Sequence, residues 1–106
     1  MSREQLAAEL AKRVLGWRVA PDRFLLSDRQ WKPRHYFQPI DRLSDAFFLL
    51  QAASIESYTI QRTTNSGCVA RVQIDGKTGT AEDSSEARAI TIAVARALGI
   101  GEGGRA

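Results

Sequence analysis

A chain of 106 residues is long enough for one hydrophobic core and too short for two. With 43% apolar and 25% charged residues it has the composition of an ordinary globular domain, which excludes a disordered or fibrous chain. The net charge of +3 is unevenly placed: Lys12 to Arg34 holds seven basic side chains against Asp22 and Asp28, while Ala46 to Ala106 holds six of each sign.

No apolar run approaches the roughly 18 residues that a membrane helix needs. The opening MSREQLAAEL carries Glu4 and Glu9 and no apolar h-region, so it does not read as a secretory leader. Cys68 is the single cysteine and His35 the single histidine, so neither a disulfide nor a His/Cys metal cluster is expected. The expectation is a cytosolic protein with no metal and no cofactor.

In chain order, Ser2 and Gln5 form a capping box, and Leu6, Leu10 and Val14 recur beside Ala7 and Ala11. This predicts an amphipathic helix, stopped by Gly16 and followed at once by Trp17. A large ring placed there is expected to cover the core beneath the helix. Residues 18–39 contain Pro21, Pro33 and Pro39 and lack helical periodicity. Phe24-Leu25-Leu26 reads as a short strand, Ser27-Asp28 as a turn, and Trp31 to Phe37 as an irregular or edge strand.

Asp41 is the expected cap of a second helix, whose stripe is Leu43, Ala46, Phe47, Leu50 and Ala53. Phe48 and Leu49 widen that stripe, so this helix is expected to be the most buried. SYTIQRTT and CVARVQI alternate around the TTNSG turn and predict an antiparallel hairpin. Asp75-Gly76 then turns into a short third strand near Thr78 to Ala81. Ser84 or Ser85 caps the last helix, with stripe Ala87, Ile90, Val94 and Ala97 and Leu98 alongside. Gly99-Ile100 fits a Schellman ending. Residues 1–100 thus read as a single domain, with GEGGRA (101–106) a disordered glycine-rich tail. The order helix, irregular β, helix, three strands, helix predicts an α+β fold. Its mostly antiparallel sheet, of three to five strands, is covered by three helices.

Chemistry-bearing motifs are few. Gly99 to Gly104 matches G-x-G-x-x-G, but a helix precedes it and no helix follows to receive a pyrophosphate. Asp41, Asp45, Glu82, Asp83 and Glu86 gather at helix starts, where caps and dipole partners belong. His35 has no adjacent nucleophile, and Cys68 lies mid-strand, as a small buried thiol usually does. No enzyme is expected.

The stretch DRQWKPRHYFQ (28–38) is the exception, with cations interleaved among aromatic rings. Candidate binding residues for an anionic partner are Arg18, Arg23, Arg29, Lys32, Arg34 and Tyr36. Strict alternation would turn Trp31 and Phe37 to the core and leave Lys32, Arg34 and Tyr36 in solvent. Replacing Lys32 and Arg34 by Glu is then expected to leave folding nearly untouched. A solvated, solubilising face is the plainer account of the same charges.

Two resemblances follow. The segments DAFFLLQAA, SYTIQRTT, CVARVQI, TGTA and SSEARAITIAVARAL have the element order of a double-stranded-RNA-binding domain. Where such domains place phosphate-binding lysines, this chain has Glu82, Asp83, Ser84, Ser85 and Glu86. RVLGW (13–17), FQPIDRLSDAFFLL (37–50) and SEARAITIAVARALG (85–99) resemble the small phage and prophage proteins of the phage ABA-sandwich domain family. The likeness rests on Gly16-Trp17, Phe37-Gln38-Pro39, Asp45-Ala46 and the alanine-rich Ala87 to Ala97, with Phe37 standing where tryptophan is common. It implies a layered α/β/α sandwich and a phage origin, and it carries over no catalytic residue.

The first functional expectation is therefore a non-enzymatic phage or prophage accessory protein in the cytoplasm of the bacterial host. It would dock a host or phage macromolecule, a protein ahead of nucleic acid and no membrane, and so interfere with host defence. The alternatives are a nucleic-acid or nucleotide binder acting through segment 18–36, and a minor virion component.

Overall fold

The computed structural model describes residues 2–63 and 67–100. The centre of the TTNSG turn, the tail at 101–106 and the later glycines of the G-x-G-x-x-G match lie outside the described residues.

The first helix, α1 (Arg3–Leu10), has both arms of its capping box: Gln5 N–H donates to Ser2 Oγ at 3.1 Å, and Ser2 N–H donates to Gln5 Oε1 at 2.8 Å. It widens into a π-helical turn over Ala11–Leu15. Gly16, at φ 72°, ends it in the left-handed region, which a side chain would occupy only with strain. Trp17 N–H closes back on the Ala11 carbonyl at 3.1 Å, fixing the ring directly after the stop.

Three short antiparallel strands follow, β1 (Arg18–Val19), β2 (Arg23–Leu25) and β3 (Trp31–Pro33), in the order β1-β2-β3. Between β2 and β3, Asp28 Oδ1 accepts the Gln30 N–H at 3.1 Å and Arg29 takes φ 68°. Pro33 ends β3 and leads into one 3₁₀ turn, Arg34–Tyr36.

The second helix is α2 (Leu43–Ala52), and Asp41 does not cap it. The chain first turns over Gln38 to Arg42, so the N-cap position falls on Arg42. Asp41 lies outside the helix and pairs with Arg3 Nη1 through both oxygens, at 3.0 and 3.2 Å. Asp45 instead reaches back to accept the Gln38 N–H at 2.9 Å.

The larger sheet is a meander of β4 (Ser57–Arg62), β5 (Cys68–Ile74) and β6 (Lys77–Asp83), in the order β4-β5-β6. Its register pairs Ile60 with Ala70 and Ala70 with Ala81, which places the apolar residues of β5 and β6 on one face. Arg71, Gln73, Thr80 and Glu82 occupy the other face and are exposed. Thus the α+β class and the antiparallel hairpin are as expected, with the six strands divided between two sheets.

The last helix, α3 (Glu86–Ala97), is capped by Ser85 Oγ, which accepts the Arg88 N–H at 3.2 Å. It ends in both Schellman bonds, Ile100 N–H to the Ala95 carbonyl and Gly99 N–H to the Arg96 carbonyl. It packs on β5 and β6 on one side and on α2 on the other. Contact with β6 is close: a Cβ at Gly79 would run into the Ala93 carbonyl and the Ala97 amide. Helix α3, with eight of its twelve residues buried, is therefore the most buried, not α2. In α2 only Ala46, Leu49 and Leu50 are buried, and Leu43 and Phe48 are exposed. The stripe on α2 has larger side chains, but the alanines of α3 let it sit between two layers.

Candidate functional site

The small sheet has two chemically different faces. Its register sets Arg18 opposite Leu25 and Leu25 opposite Trp31, with Arg23 on the same side two residues before Leu25. Val19, Phe24 and Lys32 are opposite one another on the reverse side. There Phe24 is buried in an aromatic cluster with Trp17 and Phe37, at ring-centroid distances of 5.6 and 6.3 Å. The outer face is open. Trp31 is 47% exposed, and the Arg23 guanidinium carbon lies 4.3 Å from its ring centroid, within cation–π range. Arg18 is exposed on that face, and Arg29 is exposed in the turn between β2 and β3.

This corrects the alternation reading of residues 29–37. Phe37 is buried as expected, at 2% exposure, but Trp31 points away from the core. Period-two alternation stops at Pro33, and the 3₁₀ turn at Arg34–Tyr36, with three residues per turn, resets the phase before Phe37. The aromatic–cation platform thus consists of Trp31, Arg23 and Arg18, and Trp31 is its member that parity assigned to the interior. The signal for it was Pro33 in the middle of a segment read as one strand.

Of the other candidate residues, Arg34 is internal to the fold. Its guanidinium donates to the carbonyls of Ala20 (3.1 Å), Pro21 (3.3 Å) and Glu4 (3.0 Å) and lies over the Phe24 ring at 5.1 Å. Lys32 is half-buried, with Nζ 5.4 Å from the Tyr36 ring centroid. Tyr36 is 43% exposed and joins Trp17, Phe37, Phe48 and Asp45 around a pocket of about 300 Å³. The structure therefore divides the six candidates: Arg18, Arg23 and Arg29 remain exposed around Trp31, Arg34 ties three segments together, and Lys32 and Tyr36 pair with each other.

A second hollow, of about 410 Å³, lies between α1, Pro21-Asp22 and the 33–41 segment. Its charged walls are largely self-paired, Arg3 with Asp41 and Arg34 with backbone carbonyls. His35 is on its rim. Cys68 is fully buried on β5; burial pushes its thiol pKa up, Glu86 adds to the rise and Arg62 offsets part of it. A thiol so placed is a poor nucleophile.

These elements define a small α+β protein with an open aromatic–cation face on its minor sheet. A crystal structure of a phage protein from Bacillus cereus ATCC 14579 has the same fold, with a TM-score of 0.77 and 12% identity over 96% of this chain and 92% of that one. No protein-family model matches the chain, and no curated protein sequence matches it. Among the described residues, no helix is long and apolar enough to cross a membrane.

Proposed function

We propose that this is a non-enzymatic phage or prophage accessory protein that docks an acidic surface of a host or phage protein through Arg18, Arg23 and Trp31. The observation that carries this reading is the Arg23 guanidinium stacked 4.3 Å from a half-exposed Trp31 ring. Tryptophan and arginine dominate the energetic centres of protein interfaces, and a guanidinium already held over the ring loses little freedom on binding. A carboxylate-rich partner also complements the basic excess between Lys12 and Arg34. The fold shared with a phage protein supports the phage assignment. Interference with a host defence component in the bacterial cytoplasm is the biological role that this reading suggests.

One observation favours a second reading. An exposed ring flanked by cations on a single face is also the arrangement that stacks a base and pairs its phosphates. Capture from bacterial lysate, with and without nuclease, separates the two. The wild-type protein should retain a partner that survives nuclease and that a triple Arg18→Glu, Arg23→Glu, Trp31→Ala variant loses. Capture abolished by nuclease would transfer the face to nucleic acid. Identical capture by the folded triple variant would overturn both readings.

A further inference from the structure

On the reverse side of the small sheet, aromatic rings enclose a second, smaller site. Trp17, the hub, lies 5.6 Å from Phe37, 6.1 Å from Tyr36 and 6.4 Å from Phe48, measured between ring centroids. The Phe37 ring stands at 71° to Trp17 and 77° to Phe48, so the rings form walls at steep angles and not a flat stack. Trp17 and Phe37 are buried and make the floor, while Tyr36 and Phe48 are more than two-fifths exposed and make the rim. The hollow between the rings has a volume of about 300 Å³, and Asp45 is the one carboxylate among its lining residues.

Aromatic faces carry negative potential and attract a cation placed within about 6 Å of the ring centre. The fold already uses this property, since Lys32 Nζ stands 5.4 Å from the Tyr36 ring. The type of cation follows from the hydrogen bonds on offer. Asp45 already accepts the Gln38 N–H at 2.9 Å and has Arg42 Nη1 at 3.8 Å. An ammonium with three N–H donors, or a guanidinium with five, would leave most of them unmatched against ring carbons. A methylated ammonium has few or no donors to satisfy and presents methyl groups to the rings.

We propose that the pocket formed by Trp17, Tyr36, Phe37, Phe48 and Asp45 is a receptor for a methylated ammonium group. The group could reach it as a free small molecule or as a methylated lysine side chain of a partner protein. The site lies on the side of the small sheet opposite Trp31 and does not depend on the docking face proposed above.

The test is an NMR titration read at the two tryptophan indole N–H resonances, with Trp31 as the internal reference. Choline represents the free cation, a trimethyllysine peptide the side chain, and 3,3-dimethylbutan-1-ol is the neutral isostere of choline. A saturable shift of the Trp17 resonance is expected with at least one cation, with Trp31 unmoved. The neutral isostere should bind roughly tenfold more weakly, as should the unmethylated peptide. Phe48→Leu, an exposed substitution that leaves the floor intact, should weaken cation binding to a similar degree. Saturation by choline alone or by the peptide alone identifies the source. Equal binding of the neutral isostere, equal binding of the unmethylated peptide, or an unmoved Trp17 resonance with both cations would overturn the proposal.

Discussion

Trp17 shows how much one residue can hold in place. It follows a left-handed glycine stop, is 7% exposed, and touches rings from β2, the 3₁₀ turn and α2. Trp17→Ala should cost about 3–5 kcal/mol in urea unfolding, the range for a buried aromatic truncated to alanine. A loss under about 1 kcal/mol would mean that the ring cluster contributes little to the core. Arg34 reverses the sequence-based expectation. Three carbonyls from two otherwise separate segments depend on its guanidinium. Arg34→Glu should therefore destabilise by about 1–3 kcal/mol, since charged hydrogen bonds are lost and carbonyls meet a carboxylate. Arg23→Glu on the open face should change stability by no more than about 0.5 kcal/mol. Equal effects at the two positions would contradict the division between structural and exposed arginines.

At the scale of elements, the ends of the first and last helices were legible. The Ser2/Gln5 box, Gly16, Ser85 and Gly99-Ile100 all perform the backbone task that their chemistry predicts. The strand pairs of the larger sheet were equally legible, because the alternation of β5 has only one register that buries Cys68, Ala70, Val72 and Ile74 together. Three features were not. Asp41 has the chemistry of a cap, but the turn over Gln38 to Arg42 moves the N-cap position to Arg42. The 3₁₀ turn at Arg34–Tyr36 leaves no periodic trace in three residues. The burial of α3 depends on packing between layers, and apolar content along a helix does not report that. Its small residues are the relevant quantity: Ala93 is fully buried, so Ala93→Leu should destabilise by about 1–3 kcal/mol through overpacking. A neutral result would place that face in solvent. Thr91, on the same helix, is fully buried and its Oγ1 has no hydrogen-bond partner. Thr91→Val keeps the shape and removes the stranded hydroxyl, so it should stabilise by roughly 1 kcal/mol in the same unfolding assay. Destabilisation would show that the hydroxyl is bonded in solution.

In the whole molecule, most apolar packing lies in one sheet and the exposed aromatic–cation face in the other. The larger sheet and α3 form the load of apolar packing, and the exposed face of that sheet carries a mixed set of Arg71, Gln73, Thr80 and Glu82. The minor sheet, fixed through Phe24 and the Trp17 cluster, presents the aromatic and like-charged groups outward. The cationic and aromatic character of the segment was legible in the sequence, but its geometry was not, because the phase reset after Pro33 decides which ring is exposed. Site-specific photo-crosslinking tests docking through the minor sheet directly. A benzophenone side chain is introduced at Gln30, exposed beside Trp31, or, as the comparison, at Gln73 on the polar face of the larger sheet, and the protein is irradiated in bacterial lysate. A discrete adduct is expected from position 30, lost with Arg18→Glu and Arg23→Glu, and none from position 73. Adducts from position 73 with none from position 30 would contradict docking through this face.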